Sequence, residues 1–515
     1  MKAVGRLFAG IDAGTTGVTV ALFDDGGRMI SSADRDYSCT FERPGWVEQD
    51  MDTVWQALCE ASREAVCGAG KNAAAIASVG LSSQRGTFAL LDDEFRPLAP
   101  AIVWNDARAK DMEAALTSRI LPERFRAITG MPITALWAVA KLAWLGRHRP
   151  ELMSAARWIC NGQEYFLRLL GATHFEGDPS SLTLNGMLDI RSLDWSEEIC
   201  RAAGVDMRKL PPIGKPGTRV GSISTEAAER TGLPAGAVLC RGAGDQQCAA
   251  VGAGVIRQGM AEITVGTSAM MVAHLEHPDL ARGHQTYLGA HAVPGKWDLE
   301  GGSFAIGACL QWWRNQIEPA RPNGGVRDEP GIYEKMMMEA ARAPPGSEGV
   351  IFHPFFAGQV TPNYDATARG GFLRLTLRHE RAHLLRAMLE GCACEIRMMA
   401  DAFDTDLISG IDELRVTGGG TRSLLFAQII CDVLGRPIGL LRERECSVLG
   451  AALLGAVAAG YFNDIEEAVS CMVVVASRLE PTSANRQVYD DLYDLFRESY
   501  QALSTSGFYR RLQGD

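Results

Sequence analysis

No run of about eighteen uncharged apolar residues occurs in this 515-residue chain, so no membrane-spanning helix is expected. The apolar patch within residues 1–10 is short and runs straight into Asp12, and no signal peptide is read from it. A disulfide framework is missing as well. The 13 cysteines are scattered, and Cys59, Cys160, Cys240, Cys309 and Cys431 sit in apolar surroundings, which fits reduced thiols and a cytoplasmic setting. Cys392 and Cys394 lie close in sequence, but no second pair and no His-x-x-x-His completes a zinc set, so both read as small buried apolar residues. Basic residues are in deficit: 51 Lys plus Arg against 62 Asp plus Glu give a net charge of −11. Nucleic acid and membrane are therefore excluded as main partners, local patches aside. The common nucleotide signatures are also absent. Gly70-Lys71 lacks the other residues of a Walker A loop, and no G-x-G-x-x-G follows Gly242 or Gly252.

What is present is an ordinary globular composition, 47% hydrophobic and 22% charged. Two segments resemble each other: GIDAGTTGVTVALFD at 10–24 and AEITVGTSAMMVA at 261–273. Each sets a tight turn, Gly14-Thr15-Thr16 or Gly266-Thr267-Ser268, between apolar runs, the pattern of a β-hairpin. The turns stand about 250 residues apart, half the chain, which predicts two similar domains each opening with a hairpin. Apolar spacing predicts helices over 51–67 (Val54, Leu58, Ala61, Ala65) and 379–403 (Leu384, Leu385, Met388, Leu389, Cys392, Ile396). Strands are read at 76–81, 88–91, 238–239 and 414–417. Pro/Gly-rich loops are read at 211–217, 320–325 and 343–349. Interleaved strands and helices predict an α/β fold with mixed sheets. The domains are drawn at 1–253 and 254–495 with a tail at 496–515, hinged near Gly252 to Gly254.

The chemistry sits on the glycine turns. Phosphates need several backbone N–H donors aimed at one spot, and Gly-Thr-Thr turns supply them with hydroxyls added. Asp12, at the end of the first apolar strand, reads either as a turn-capping residue or as a carboxylate for hydrated Mg²⁺. A third cluster, Thr417-Gly418-Gly419-Gly420-Thr421-Arg422-Ser423, joins a strand to the apolar run 424–434. Strand, glycine turn and helix N-terminus together make an anion or nucleotide site. Three consecutive glycines exceed what a turn requires and would let a flat purine ring lie on the backbone. Asp245, within Arg241-Gly242-Ala243-Gly244-Asp245-Gln246-Gln247, is an open carboxylate able to take a proton from a substrate hydroxyl, or else a loop-stabilising turn residue.

Together these motifs resemble the FGGY carbohydrate kinases, from about residue 8 to about residue 460. PGWVEQD at 44–50, GLSSQRGTFALLD at 80–92 and WNDARA at 104–109 are similar to the family's substrate-domain motifs. AGDQQCAAVGAG at 243–254 is similar to the segment bearing its catalytic Asp, and ITVGTSA to its second phosphate motif. GGFLRLTLRHERAHLLRAMLEG at 370–391 is similar to its C-terminal signature, TGGGTRSLLFAQIICDVLGRPI to its adenosine motif, and SVLGAALLGAVAAG to the helix after it. The resemblance implies a two-domain actin-like ATPase (ribonuclease-H-like) fold around a deep cleft. It implies ATP and Mg²⁺ as cofactors and a small sugar or polyol as substrate, with a homodimer left open. Asp245 would be the catalytic base, and Asp12 and Asp245 would hold Mg²⁺ through water. The nucleotide would meet Asp12, Gly14, Thr15, Thr16, Gly266, Thr267, Ser268, Gly418, Gly419, Gly420 and Ser423. The substrate would meet Gln84, Arg85, Trp104, Asp106, Asp178, Asp245 and Gln246.

Substrate identity rests on departures from the pattern. Gln84 and Arg85 resemble glycerol kinases, which carry Glu where this chain has Gly86. Xylulokinases carry Met-His-Gly after the Gln. Loss of that Glu makes room for a ligand larger than glycerol: a pentulose such as xylulose, or alternatively a C4–C6 polyol or glycerol. Two other readings stay open at this stage, an actin-like ATPase with a binding or regulatory role and a metal-dependent hydrolase using Asp12 and Asp245.

Overall fold

A computed structural model describes residues 5–280, 285–318 and 331–512. The loop expected at 320–325 lies outside the described residues. Two mixed sheets organise the chain. The first contains β1 (Leu7–Ala13), β2 (Gly17–Phe23), β3 (Met29–Asp36), β4 (Ile76–Ser83), β5 (Thr218–Ser222) and β6 (Val238–Gly244), in the order β5-β6-β4-β1-β2-β3. The second contains β7 (Met260–Val265), β8 (Ala269–Leu275), β9 (Tyr287–Ala290), β10 (Trp297–Ser303), β11 (Glu413–Thr417), β12 (Ile438–Leu441) and β13 (Val475–Leu479), in the order β9-β10-β8-β7-β11-β12-β13.

The two sheets share a plan. In the first, β1, β2 and β3 run antiparallel while β4 and β6 continue parallel from β1. In the second, β7, β8 and β10 run antiparallel while β11 and β12 continue parallel from β7. The similar segments at 10–24 and 261–273 are the corresponding hairpins, as their spacing predicts.

Helix α1 (Met51–Ala69) starts where the Asp50 carboxylate accepts from the Thr53 N–H at 2.8 Å, and buries Val54, Leu58, Ala61 and Ala65 against the first sheet. The other face of that sheet is covered from far along the chain. Helix α2 (Asp245–Gly252) and helix α3 (Cys446–Ala458) cross there, and α3 is buried nearly all round. Glycine makes the approach possible. A Cβ on Gly10 would stand 1.8 Å from the Val448 carbonyl oxygen, and one on Gly80 would stand 1.9 Å from that of Ala451. Where α2 and α3 cross, a Cβ on Gly450 would stand 1.9 Å from the Cys248 carbonyl oxygen, and one on Gly252 would stand 2.0 Å from that of Cys446. So part of the expected second domain, residues 446–458, packs against the first sheet, because its small residues let backbone meet backbone.

The second core gathers around helix α4 (Arg381–Asp406), with helix α5 (Leu424–Leu434) and helix α6 (Arg486–Thr505) beside it. Cys392 and Cys394 are fully buried in it, as expected of small apolar residues. The expected tail at 496–515 requires correction. It begins in the middle of α6, and Phe496, Tyr500 and Tyr509 belong to this core, so the segment is structural through residue 512. Among the described residues no helix is long and apolar enough to cross a membrane.

Candidate active site

The first glycine turn closes the β1–β2 hairpin, with the Gly14 N–H donating to the Gly17 carbonyl at 2.9 Å. The Thr15 hydroxyl donates to Gln84 Oε1 at 3.0 Å and accepts from the Trp104 indole N–H at 3.0 Å. The second turn closes the β7–β8 hairpin, with the Gly266 N–H donating to the Ser268 carbonyl at 2.8 Å. Both turns line one cavity of about 450 Å³ between the two halves, through Thr15 and Thr16 on one side and Thr267 and Ser268 on the other. Gln84, Arg85, Trp104, Asp245 and Gln246 line the same cavity.

Asp245 opens α2, directly after β6 ends in glycine. Its Oδ1 accepts from the Gln246 backbone N–H at 2.9 Å and from Arg85 Nε at 3.1 Å, and its side chain is 26% exposed, toward the cavity. Burial raises its pKa above the usual carboxylate value, against the pull of Arg85. Asp12 lies at the end of β1, where its Oδ1 accepts from the Ser82 hydroxyl at 2.7 Å. Burial, reinforced by the Asp245 charge, pushes Asp12 up to about 7.

Two carboxylates, one of which raises the proton affinity of the other, suit a hard cation between or beside them. Among the described residues no three His, Cys, Asp or Glu side chains are placed to hold a metal. Asp12 and Asp245 alone would suit a hydrated Mg²⁺ held through water rather than by a full set of protein ligands.

Arg85 is the centre of the polar wall. Its Nη1 and Nη2 donate to Glu300 Oε2 and Oε1 at 2.7 and 2.6 Å, a two-bonded pair reaching across the cleft from β4's end to β10. Burial opposes the guanidinium charge, but Glu300 and then Asp245 outweigh it and raise the pKa. A Cβ on Gly244 would stand 2.3 Å from Arg85 Cδ, so the glycine before Asp245 lets the arginine lie across the backbone. Gln247 donates through Nε2 to Asp298 at 3.0 Å and to Glu300 at 3.2 Å. Asp298, buried and beside Glu300, is pushed up to about 7. The opposite wall is apolar: Leu136, Trp137, Leu184, Met270, Phe304 and Val360. Trp104 and Phe304 meet across the cleft with ring centroids 5.8 Å apart.

Three expected ligand groups are engaged elsewhere. Asp106 is fully buried and accepts from the Val47 N–H at 2.6 Å and from Arg108, so it ties a loop together outside the cavity lining. Asp178 N-caps the short helix Pro179–Leu182 and holds Ser180, whose hydroxyl accepts from the Gly244 N–H at 3.0 Å. It thus stands behind the Asp245 loop. Ser423 N-caps α5, accepting from the Phe426 N–H at 3.2 Å. The glycine cluster has a packing reason too. Gly418 has φ +81°, and a Cβ there would stand 2.6 Å from the Val265 carbonyl oxygen, while one on Gly420 would stand 2.5 Å from Val265 Cγ1. Only Gly419 faces open space. Val265 immediately precedes the Gly266 turn, so the third glycine cluster is packed onto the second hairpin turn.

Sequence reasoning missed Glu300, Gln247 and most of the apolar wall. A charged residue inside the strand sequence WDLEGGS was the available signal for Glu300. The apolar wall residues look like any core residue in sequence.

The N-terminal domain of the FGGY family of carbohydrate kinases matches residues 7–252, and the C-terminal domain of the same family matches residues 261–459. A glycerol kinase of Bordetella parapertussis is 32% identical over 477 residues, covering 89% of each chain. A xylulose kinase of Bacillus subtilis is 26% identical over 492 residues, covering 95% of this chain and 96% of its own. The crystal structure of a xylulose kinase from Rhodospirillum rubrum superposes with a TM-score of 0.85 at 28% identity, covering 98% of this chain and all of that one. The chain belongs to the FGGY family of carbohydrate kinases: it is a kinase with that family's two-domain, actin-like fold.

Proposed function

We propose that this FGGY kinase transfers the γ-phosphoryl group of ATP to a hydroxyl of a small sugar or polyol, with a pentulose such as xylulose as first choice. The observation that carries the reading is the single cavity lined by both phosphate turns, Asp245 and Arg85. Asp245 takes the proton from the substrate hydroxyl, and that oxygen attacks the γ-phosphorus in line as ADP leaves. The raised proton affinity of Asp245 suits this role. Thr15, Thr16, Thr267 and Ser268 surround the phosphates. Asp12 and Asp245 would hold Mg²⁺ through water, and the ion supplies positive charge that the acidic cleft lacks. The domains, drawn at 1–253 and 254–495, close on the substrate and exclude water.

Two features favour a substrate larger than glycerol. Gly86 lines the cavity with φ +69°, and a Cβ there would stand 3.3 Å from Trp104 Cβ and 3.5 Å from Leu184 Cβ, so no side chain enters the cavity from this position. The cavity of about 450 Å³, with an apolar lining of Leu136, Trp137, Leu184, Met270, Phe304 and Val360, would leave a three-carbon substrate partly unpacked. A C4–C6 polyol satisfies the same features and is the second reading. ADP release against pentuloses, hexuloses, polyols and glycerol tests the assignment. Glycerol as the best substrate by a wide margin would overturn the larger-ligand reading. ADP release that ignores every sugar would favour a plain ATPase.

A further inference from the structure

We infer that the site is built for uncharged substrates, and that Glu300 is the residue that sets this specificity by occupying the one cationic group of the substrate wall. The inference rests on the reading of the cleft cavity as the sugar site. Among the described residues lining that cavity, the charged groups are Arg85, Asp245 and Glu300. One cation thus faces two carboxylates, and none of its charge is left for a third. The partners are geometrically committed: Glu300 takes Nη1 and Nη2 in a two-bonded pair, and Asp245 takes Nε. The pair is dry, with the Arg85 side chain 3% and the Glu300 side chain 5% exposed. Gln247 fixes Glu300 from behind, donating to it and to Asp298.

An aldonate, a sugar acid with a terminal carboxylate, would bring a third negative charge into this enclosure. To pair with Arg85 it must displace Glu300, leaving that carboxylate buried without its cation and with only the Gln247 amide to answer it, or stay unpaired itself. A ketose or alditol of the same length needs only hydroxyl contacts and meets no such conflict. Discrimination here comes from repulsion as much as from fit. Glu300→Ala empties a carboxylate-shaped space in front of Arg85; it also removes a charge that raises the proton affinity of Asp245, an effect common to both substrates, so the readout is the ratio between them.

The experiment compares the best neutral sugar from the panel with the aldonate of equal carbon number, by ADP release, for wild type and Glu300→Ala. Wild type is expected to favour the neutral sugar in kcat/KM by about a hundred-fold or more. In Glu300→Ala that ratio is expected to fall at least about ten-fold, and added sodium formate is expected to restore neutral-sugar turnover by refilling the space. Loss of a merely structural contact would lower both substrates together and would not respond to formate. Wild-type turnover of the aldonate within about ten-fold of the neutral sugar overturns the inference, a result that needs no variant to fold. An unchanged ratio in a folded Glu300→Ala enzyme overturns it too. If wild type turns over neither class, the sugar-kinase reading falls first and the inference with it.

Discussion

Gly10, in the middle of β1, and Val448, in the first turn of α3, touch through their backbones although 438 positions separate their numbers; a Cβ on the glycine would stand 1.8 Å from the valine carbonyl oxygen. The oxygen belongs to a helix backbone and cannot rotate away. Gly10→Ala must therefore push α3 off the first sheet, a form of overpacking that costs about 1–3 kcal/mol. Thermal unfolding should show the loss, with Gly450→Ala behaving alike because its Cβ would meet the Cys248 carbonyl oxygen at 1.9 Å. Gly146 provides the contrast: it is exposed in the helix Ala138–His148 with open space around its would-be Cβ. Gly146→Ala should leave stability unchanged or raise it by up to about 1 kcal/mol. A Gly10→Ala protein as stable as wild type would mean α3 is loosely held.

Asp245→Asn keeps the size of the side chain and the Gln246 N–H contact while removing the base. Phosphoryl transfer to the best sugar should fall by about a thousand-fold. ATP binding, followed by calorimetry, should persist, because the turns at Thr15, Thr16, Thr267 and Ser268, proposed to hold the phosphates, are untouched. Undiminished sugar phosphorylation would remove Asp245 from its assigned role.

The parts of the site legible in sequence are those fixed by backbone. The Gly-Thr-Thr and Gly-Thr-Ser turns between apolar runs announced two hairpins, and their spacing announced two sheets of one plan. Asp245 was legible because glycines on its N-terminal side leave a carboxylate exposed. Side chains that serve the site through distant partners were not legible. Asp106 and Asp178 sit in suggestive motifs, yet Asp106 spends both oxygens on the Val47 N–H and Arg108, and Asp178 spends Oδ1 on Ser180 and Ser181 while its buried Oδ2 has no hydrogen-bond partner. Glu300 lies 215 positions from Arg85, and no local pattern in a strand says which distant cation it meets. The three glycines at 418–420 were read as ligand-facing, but two of them are required by Val265, a contact created only when β7 and β11 pair.

The end of the chain offers a direct test of the second core. Phe496 is wholly buried, Tyr500 and Tyr509 nearly so, and the Ser499 hydroxyl lies 2.9 Å from His353 Nε2. A dispensable tail could be removed after Leu495 without penalty. Here each buried aromatic contributes about 1.5–3 kcal/mol, a large share of any domain's net stability. The protein ending at residue 495 should aggregate or unfold well below the wild-type melting temperature, and Phe496→Ala alone should cost about 3 kcal/mol. A soluble, cooperatively melting protein lacking residues 496–515 would show that the core closes without them.

Lys141 couples pH to the apolar wall of the cavity. It is completely buried, and its Nζ donates to the carbonyl oxygens of Trp104 and Leu136, the latter at 2.8 Å, two residues that line the substrate cavity. Burial pushes its pKa down to about 7, with the Asp106 carboxylate only partly opposing the shift. An unfolded lysine titrates near 10.4. Between those values the unfolded chain holds more protons at this position than the folded one, so the group's contribution to stability rises with pH and is lost as pH falls toward 7. Lys141→Met removes the titration and leaves every other group in place. The stability difference between wild type and the variant, measured by urea unfolding at pH 7, 8 and 9, should therefore move in favour of wild type as pH rises, by at most about 1.4 kcal/mol per pH unit. Because the same amino group donates to the Trp104 and Leu136 carbonyls, the variant should also raise KM for the sugar while leaving KM for ATP nearly unchanged. Parallel pH profiles for the two proteins would show that Lys141 stays charged throughout, its two carbonyl partners and Asp106 together offsetting its burial.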